Sequence, residues 1–525
     1  MKPTVLRWVV ILMVVALVVG GGGLTLLVAL GSGSSDGKAS QPQPVTTVST
    51  TPSPGATEPP RADLAAFYSQ QLDWTACRDQ FECATLTVPI DYKDPGAGSI
   101  GLALLKVPAA KPAERLGSLV VNPGGPGAPG TDYAASAATV FGQPLLDHFD
   151  IVGFDPRGTG ASDPIDCISD SQLDAFLAAD PAPDTPEEAN GLVTSLAGFY
   201  RGCVENSDAL IGHVTTVEAA RDMDVLRAAL GESTLTYFGA SYGTKLGATY
   251  ADLFPDKAGR LVLDGAVDVA LSSREMSLGQ AAGFERALRA YVQDCVDQTG
   301  GCFLGDTVEA GLTRVTQFLD AVDAQPLPTS DGRELEIGNA FYGIVLPLYS
   351  RDYWFILSQA LTQAFAGDGS TLMKLSDLYA ARGPNGYENN SSEAIYAINC
   401  LDDPYAITPA EVPAQIPAFK KVSPTFGEVF AWGLVGCEGI QVRATEKDPV
   451  ITAAGAPPIV VVGTTRDPAT PYEWAVALAD ELKSGVLVSR DGDGHTGYNA
   501  GNACVDSAVE SYLVDGTVPK DGLKC

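Results

Sequence analysis

The stretch "YFGASYGTKLGATYADLFP", residues 237–255, joins an apolar strand pattern to a helical pattern through the motif G-x-S-x-G. Its serine, Ser241, lies where the strand pattern ends and the helical pattern begins, between Gly239 and Gly243. A sharp strand-to-helix turn of this kind lifts a serine Oγ clear of a sheet, and the flanking glycines tolerate the crowding there. The stretch therefore predicts that Ser241 is a nucleophile.

Apolar strand patterns alternate with helical patterns over much of the chain. The segments "CATLTVPIDY" and "SIGLALLKVPA" predict two antiparallel strands joined by the turn "KDPGAG". The helical pattern is clearest in "TTVEAARDMDVLRAALG", where apolar residues recur at a spacing near 3.6. Continuous apolar strands follow in "GSLVVNPGGPG", "FDIVGFDPRGTG", "STLTYFGAS", "GRLVLDGAV" and "PPIVVVGTTRDP". Such strands, separated by helices, predict an α/β fold with a mostly parallel sheet covered on both faces.

The pattern changes between residues 267 and 455, where it becomes mostly helical and contains four of the ten cysteines. We interpret this segment as a large helical cap inserted between the sixth and seventh strands of the sheet. The sheet domain would then consist of residues 63–266 and residues 456–525.

The first 30 residues have the features of a membrane anchor or a signal segment. Lys2 and Arg7 precede an apolar run from Trp8 to Leu30, which is long enough to span a bilayer with its positive flank in the cytoplasm. An uncleaved anchor is the first interpretation and a cleaved signal the second, since no clean A-x-A site follows. Residues 31–62, rich in Gly, Ser, Thr and Pro, predict a disordered tether. The predicted location is therefore extracytoplasmic, anchored or secreted.

The charge balance argues against a nucleic-acid partner. The chain has 64 acidic and 33 basic residues, a formal net charge of −31. Such a surface repels phosphate backbones and anionic headgroups. We therefore expect no nucleic-acid binding, and membrane contact only through the N-terminal segment; the sequence carries no signal for an oligomeric state.

Ten cysteines follow the tether, and an even number in an exported chain predicts disulfides. Metal ligation is the alternative, but the chain has no C-x-x-C pair and only three histidines. Pairing of sequence neighbours is the simplest arrangement, although the sequence does not select it. For Cys504 and Cys525 we expect a bond that ties down the C-terminus. The ten positions are Cys77, Cys83, Cys167, Cys203, Cys295, Cys302, Cys400, Cys437, Cys504 and Cys525.

A serine nucleophile needs a base, and His495 is the best candidate. It follows the last strand in the glycine-flanked loop "RDGDGHTGY", where a base could be presented. His148 comes just before a strand, and His213 precedes the helix that leads to the Ser241 strand. We interpret these two as surface or capping residues.

The base needs an acid that fixes its tautomer. Asp467 ends the penultimate strand, so the order Ser, Asp, His matches the α/β-hydrolase template. Asp264 ends the preceding strand and is the alternative acid. Asp491 and Asp493 are too close to His495 in sequence to orient it from the sheet.

A tetrahedral intermediate also needs hydrogen-bond donors for its oxyanion. In "VVNPGGPG" a strand runs directly into a loop whose glycines leave backbone N–H groups uncovered. The amides of Gly125 and Tyr242 are the predicted donors.

Several segments, in this order, resemble the exported tripeptidyl aminopeptidases of actinobacteria, serine peptidases related to proline iminopeptidases. The resemblance implies an α/β-hydrolase fold with a helical cap, and release of short peptides from free N-termini without a metal or cofactor. It assigns catalytic roles to Ser241, Asp467 and His495. The segments are "NPGGPG", "FDPRGTGASDP", "TTVEAARDMDVLRAALG", "GASYGTKLGATYADLFPDKAGRLVLDG", "AINCLDD", "TRDPATP" and "GDGHTGY".

An enzyme that cuts from a free N-terminus needs a carboxylate for the substrate ammonium group. The cap offers Asp402, which lies in the family-like "NCLDD" and is our first choice, then Glu438, Asp403 and Glu393. An esterase or lipase on the same fold is one alternative function. A catalytically silent cell-surface binding protein is the other, against which the intact Ser, Asp and His argue.

Overall fold

The computed structural model describes residues 52–78, 80–446 and 449–525. The predicted anchor and most of the predicted tether lie outside these residues. Within the described part of the chain, no helix combines the length and apolarity needed to cross a membrane.

Ordered contacts begin before the predicted start of the folded region at residue 63. The Ser53 N–H donates to the Gly231 carbonyl over 2.9 Å, and Ala56 is buried. The Ala56 carbonyl accepts a 2.9 Å hydrogen bond from the buried Arg227 guanidinium. Because a buried guanidinium needs acceptors for its donors, the end of the predicted tether is held against the core, and the predicted boundary is too late.

One large sheet organises the molecule, and its strand order is β1-β2-β3-β5-β4-β6-β7-β12-β13-β14. The strands of the first half are β1 (Thr75–Cys77), β2 (Phe81–Pro89), β3 (Ser99–Val107), β4 (Gly117–Asn122), β5 (Phe149–Phe154), β6 (Leu235–Ala240) and β7 (Ala258–Asp264). The short cap strands are β8 (Leu327–Pro328), β9 (Glu334–Leu335), β10 (Arg382–Gly383) and β11 (Gly386–Tyr387). The sheet is completed by β12 (Ile459–Arg466), β13 (Gly485–Asp493) and β14 (Leu523–Lys524).

The strands pair as their apolar patterns predict. The first strands, up to the β3–β5 pair, are antiparallel, and the remaining neighbours, from β5 and β4 to β13 and β14, are parallel. All six residues of β4 are buried, as are the first six of β12, because helices cover both faces of the sheet. The predicted α/β-hydrolase fold class is confirmed.

Helices connect the strands of the sheet and build the cap. Before the cap they are α1 (Ala65–Tyr68), α2 (Gly130–Ala135), α3 (Ala137–Val140), α4 (Gln143–His148), α5 (Asp170–Ala178), α6 (Pro186–Asn206), α7 (Thr216–Ala229) and α8 (Tyr242–Leu253). Those of the cap are α9 (Ser273–Val296), α10 (Val308–Ala324), α11 (Ile337–Leu348), α12 (Trp354–Phe365), α13 (Ser370–Tyr379), α14 (Ser391–Asp402), α15 (Val412–Val422) and α16 (Gly427–Trp432). The chain returns to the sheet with α17 (Tyr472–Glu481) and ends with α18 (Ala503–Asp515).

The cap lies between β7 and β12, which are the sixth and seventh sheet strands along the chain when the three-residue β1 is set aside. It has its own apolar core, in which Leu288 and Val292 of α9 pack with Val315 of α10 and Ile344 of α11. The helix α14 instead packs with the core of the sheet domain, through Ala394, Ala397 and Ile398 among others. The cap is therefore a separately packed unit that is attached to the sheet domain through α14 and through residues of α15 and α16, such as Val412 and Ala431.

Five disulfides join cysteines that are neighbours in sequence: Cys77–Cys83, Cys167–Cys203, Cys295–Cys302, Cys400–Cys437 and Cys504–Cys525. Within the described residues no cysteine is left free. Two of the bonds close long loops: Cys167–Cys203 spans 36 residues and Cys400–Cys437 spans 37.

Removing the terminal disulfide should destabilise the protein more than removing the shortest one. The Cys504–Cys525 bond closes a loop of 21 residues, whereas Cys77–Cys83 closes a loop of 6. Because the open chain regains its loop-closure entropy, loss of the Cys504–Cys525 bond should lower the free energy of unfolding by about 3 kcal/mol, and loss of the Cys77–Cys83 bond by about 2 kcal/mol. Urea unfolding of the two double alanine variants measures the difference, and a larger loss for the Cys77/Cys83 variant would contradict the loop-length argument.

Candidate active site

Ser241 occupies the one-residue turn between β6 and α8. Its backbone has φ 55° and ψ −125°, a conformation that non-glycine residues rarely adopt. The turn is held from both sides: the Ser241 N–H donates to the Asp264 carbonyl over 2.9 Å, and its carbonyl accepts from the Thr244 N–H over 2.8 Å. The strain at Ser241 is thus imposed by the strand and the helix that it joins.

The glycines of the motif are required by the close approach of α8 to β6, at Gly239, and to the end of β4, at Gly243. A Cβ on Gly239 would lie 2.3 Å from the Gly243 carbonyl oxygen, and a Cβ on Gly243 would lie 2.9 Å from the Asn122 carbonyl oxygen. Real Cβ atoms are not found at such distances from backbone oxygens. Side chains at these positions would therefore push the helix away and release the turn.

His495 and Asp467 form a hydrogen-bonded pair in the loops that follow β13 and β12, at the same edge of the parallel sheet as the Ser241 turn. The His495 Nδ1 atom lies 3.0 Å from Asp467 Oδ1 and 2.9 Å from Oδ2. Asp467 is fully buried and also accepts hydrogen bonds from the N–H groups of Ala469, Thr470 and Thr496. His495 approaches the strand that holds the turn, since its Cε1 atom would lie 3.2 Å from a Cβ placed on Gly265.

The electrostatic surroundings favour the protonated form of His495. Burial lowers the pKa of the imidazole, but the charge and hydrogen bond of Asp467, together with the charge of Asp264, outweigh it. The pKa of His495 is therefore raised above its ordinary value of 6.5. A base with a raised pKa accepts a proton readily, which suits proton transfer from an alcohol.

Asp264, the alternative acid, binds the backbone that follows His495. Its carboxylate accepts the N–H groups of Gly497 and Tyr498, over 2.8 and 2.9 Å. Burial raises the pKa of Asp264 to about 6, although these two donors oppose the rise. Asp264 thus holds the histidine loop, while Asp467 holds the imidazole.

The other two acids of the histidine loop point to a different partner. Asp491 and Asp493 each accept a 2.8 Å hydrogen bond from the Arg466 guanidinium, at the end of β12. These ion pairs tie the end of β13 to the end of β12, as expected for residues too close in sequence to reach the ring of His495.

The glycine loop after β4 packs directly on the Ser241 turn. A Cβ on Gly124 would lie 2.6 Å from the Ala240 carbonyl oxygen and 2.9 Å from the Tyr242 nitrogen. The Gly124 N–H donates to Asn122 Oδ1 within the loop, over 2.9 Å, and is therefore engaged. The amide that follows it in the loop is that of Gly125, the predicted oxyanion donor. The two predicted oxyanion donors, Gly125 and Tyr242, therefore belong to segments in direct contact.

Asp402, our first choice for the substrate ammonium, is taken up by contacts within the protein. Its carboxylate lies 2.8 Å from Lys245 Nζ and accepts from the Thr216 N–H over 2.9 Å and from Thr216 Oγ1 over 2.5 Å. Thr216 Oγ1 also lies 2.6 Å from the hydroxyl of Tyr242. Asp402, with a side chain only 2% exposed, thus joins the cap to α7 and α8, a structural role in place of the predicted one.

Two of the remaining acids are also engaged. Glu393 accepts the N–H groups of Cys167 and Ile168, over 2.9 and 3.0 Å, and burial raises its pKa. Asp403 accepts from the Ser273 hydroxyl over 2.5 Å, at the start of α9. The Glu393 contacts bind the cap to the sheet domain through Oε1, whereas the Asp403 contact lies within the cap. Both oxygens of Asp403 are engaged, because Oδ1 also accepts from the Tyr405 N–H.

Glu438 is the fourth predicted acid, and within the described residues its side chain has no hydrogen bond or ion pair. It is half-buried and follows Cys437, whose disulfide with Cys400 attaches it to α14. The same helix contacts the glycine loop, because a Cβ on Gly127 would lie 2.9 Å from Ala394 Cβ. Glu438 is therefore linked through α14 to the candidate active site.

Two residues of the site were missed by sequence reasoning. Thr470 Oγ1 lies 3.1 Å from Asp467 Oδ2 and 3.3 Å from His495 Nδ1. Its position three residues after Asp467, in the quoted segment "TRDPATP", was an available signal. Tyr349 of the cap contacts His495 through its ring and its carbonyl, and no sequence signal connects it with the histidine loop.

The other two histidines lie away from Ser241. His148 Nδ1 is 2.7 Å from the Pro144 carbonyl, and His213 Nδ1 is 2.8 Å from Glu218 Oε1. Candidate metal-ligand atoms of Asp91, His213 and Glu218 lie within 4.8 Å of one another. However, Arg157 Nη1 is 3.9 Å from the same Glu218 oxygen, and its charge opposes a cation there. We therefore assign no metal to this cluster.

Comparison with known proteins identifies relatives along almost the whole chain. The family model described as TAP-like protein matches residues 423–525. Serine protease Hip1 of Mycobacterium tuberculosis is 37% identical over 478 residues, which are 87% of this chain and 91% of that protein. Carboxylesterase B of Mycobacterium tuberculosis is 38% identical over 491 residues, 90% of this chain and 93% of that protein.

A third relative carries the name that the sequence motifs suggested. Tripeptidyl aminopeptidase of Streptomyces coelicolor is 31% identical over 471 residues, which are 86% of both chains. Together with the parallel sheet and the turn at Ser241, these similarities show that the chain belongs to the tripeptidyl aminopeptidase family of serine peptidases and is a serine hydrolase with the α/β-hydrolase fold.

Proposed function

We propose that the protein is an extracytoplasmic serine exopeptidase that releases short peptides, tripeptides in particular, from free N-termini through an acyl-enzyme. The observation that carries this proposal is that the strained turn of Ser241 and the hydrogen-bonded His495–Asp467 pair lie at the same edge of the parallel sheet, where Tyr349 of the cap contacts His495. The reaction needs no metal or cofactor, because a base-activated serine supplies the nucleophile.

Ser241, His495 and Asp467 divide the chemistry among them. Ser241 Oγ attacks the scissile carbonyl while its proton passes to His495 Nε2, and the imidazolium then protonates the leaving amine. Water repeats these two transfers to release the N-terminal peptide from Ser241. Asp467 holds Nδ1–H throughout, so that Nε2 stays the basic nitrogen.

The oxyanion of each tetrahedral intermediate would be stabilised by the amides of Gly125 and Tyr242. The close packing of the Gly124 segment on Tyr242 supports this pairing, since both amides are then held by rigid backbone. Preorganised donors of this kind stabilise developing charge without reorganisation during the reaction.

Recognition of a free N-terminus is assigned to Glu438. Asp402 and Asp403 have both carboxylate oxygens engaged within the protein, and Glu393 accepts two backbone amides at Oε1. Glu438 has a carboxylate that can pair with an ammonium group. Because the Cys400–Cys437 disulfide attaches Glu438 to α14, the distance between this carboxylate and Ser241 is set by covalent and packed structure. A set distance would limit the length of the released peptide.

The location outside the cytoplasm follows from two features of the chain. The apolar run at residues 8–30 predicts export, with either an anchor or a cleaved signal. The five disulfides fit an oxidising compartment.

An esterase is the second candidate function, because one relative is named carboxylesterase B. The same serine, base and oxyanion donors would cleave an ester. An exopeptidase of this kind needs a free amine on its substrate, whereas an esterase does not. The dependence of the rate on a free amine therefore distinguishes the two functions.

A tripeptide anilide with a free amine should be cleaved, and N-acetylation should lower kcat/KM at least about tenfold. That factor corresponds to losing about 1.4 kcal/mol of binding to the ammonium group. Ser241→Ala should lower turnover of the free-amine substrate by at least about 10³-fold with the fold intact. Anilide release gives the rates, and circular dichroism checks the fold.

Acyl esters of matched size serve as the comparison in this experiment. Equal cleavage of free and acetylated anilides would refute the exopeptidase proposal, and a strong preference for esters would favour the esterase. If Ser241→Ala retained a tenth of the activity, the assignment of Ser241 as the nucleophile would be refuted.

Activity should fall in acid with a midpoint above pH 6.5. The neutral form of His495 is the active one, and the raised pKa means that protonation begins at a higher pH than in a free imidazole. Asp467→Asn removes the charge that raises this pKa, so it should move the acid limb of kcat/KM to lower pH and reduce turnover about 10⁴-fold. Asp264→Asn should be less damaging, and the reverse ranking would assign the acid to Asp264.

Glu438→Gln should lower kcat/KM about tenfold for the free-amine anilide and leave the acetylated one unchanged, because only the former carries the ammonium group. Glu309→Gln, at a cap side chain 79% exposed, is the matched control and should leave both unchanged. An equal decrease in kcat/KM for both substrates would show that Glu438 does not recognise the amine.

A further inference from the structure

The cap reaches the histidine loop at Tyr349, which follows the last turn of α11. Two kinds of contact meet there. The Tyr349 carbonyl accepts the His495 N–H over 2.8 Å. The rings of Tyr349 and His495 lie edge to face, with centroids 5.5 Å apart and an interplanar angle of 82°.

The residue before the histidine permits this approach. Gly494 has φ 108°, and a Cβ there would lie 3.1 Å from the Tyr349 carbonyl oxygen. A side chain at this position would be strained and would crowd the carbonyl, so the glycine allows the cap backbone to reach His495.

Tyr349 is itself supported by other cap residues. Burial and the neighbouring Tyr379 hydroxyl raise the pKa of its hydroxyl group. The Tyr379 ring stacks on Tyr342 of α11, with centroids 4.7 Å apart. Phe284 of α9 packs against the Tyr349 ring at 5.4 Å. The position of the Tyr349 ring therefore follows the position of the cap.

Among the described residues, the sheet-domain side chains that hydrogen-bond the imidazole do so at one nitrogen, while the Gly265 backbone lies close to Cε1. Asp467 and Thr470 both approach Nδ1. Bonds to one nitrogen leave the ring able to tilt about that edge, whereas an edge-to-face neighbour restricts the tilt. The direction of Nε2 thus depends on a second contact, which Tyr349 supplies.

We propose that Tyr349 is a positioning residue that fixes the plane of the His495 imidazole, so that the base is aligned with Ser241 only while the cap is seated on the sheet domain. This inference rests on the proposed roles of Ser241 and His495. It makes the cap part of the proton-transfer geometry as well as a cover for the substrate.

A fluorophosphonate probe tests the proposal without a peptide substrate. Ser241 Oγ bonds to phosphorus, fluoride leaves, and the serine proton passes to His495, so the second-order labelling rate reports on base alignment. Tyr349→Ala and Tyr349→Leu should label at least about tenfold more slowly, since small misplacements cost up to about 10²-fold. Tyr349→Phe keeps the ring and should label within about twofold of the unmodified protein.

The control is Tyr353→Ala, a partly buried aromatic truncation on the same edge of the cap, which should label at the unmodified rate. Near-ultraviolet circular dichroism gives the folded fraction of each variant. If the alanine variant does not fold, the labelling rate of the leucine variant tests the proposal. For anilides we expect kcat to fall with KM little changed.

Labelling of the alanine and leucine variants at the unmodified rate would overturn the proposal, as would equal slowing of the phenylalanine variant. The proposed function would fail separately, through undiminished labelling of His495→Ala.

Discussion

The buried carboxylate of Asp467 is the constraint on which the active-site geometry depends. A carboxylate removed from water is costly unless hydrogen bonds replace its solvation, and Asp467 has donors from two loops. The N–H groups of Ala469 and Thr470 come from the loop after β12, while Thr496 and His495 come from the loop after β13. Satisfying this one group therefore brings the two loops together and places the imidazole.

The same principle attaches the cap to the sheet domain. Asp402 lies at the N-terminus of α7, where its charge is favourable, and it also pairs with Lys245 of α8. Glu393 accepts two backbone amides of the loop after β5. Asn390 donates to the carbonyls of Gly158 and Ile165. Asp402 and Glu393, which the sequence offered as candidates for substrate binding, thus help to hold the cap on the sheet domain.

The fold was predictable because its signals are local. Continuous apolar strands such as β4 and β12 are buried on both faces, and strands of that kind occur in parallel sheets covered by helices. The Gly239 and Gly243 positions mark the close approach of α8 to β6 and to the end of β4 in the sequence itself. The start of the folded region was predicted less well, since the burial of Ala56 depends on Arg227, far along the chain.

The sequence by itself determined the strand-to-helix turn at Ser241, the order of the sheet elements and the candidates for base and acid, because each depends on residues close together in the chain. Only the tertiary structure decided which acid serves which purpose. Asp264 and Asp467 both end neighbouring strands, yet one binds backbone amides and the other the imidazole, and Asp402 is turned inward to Lys245. The contact between Tyr349 and His495 was likewise decided by the tertiary structure alone. The physical reason is that carboxylates and aromatic rings take partners across space, and the distances between distant segments are set by packing that no local pattern records.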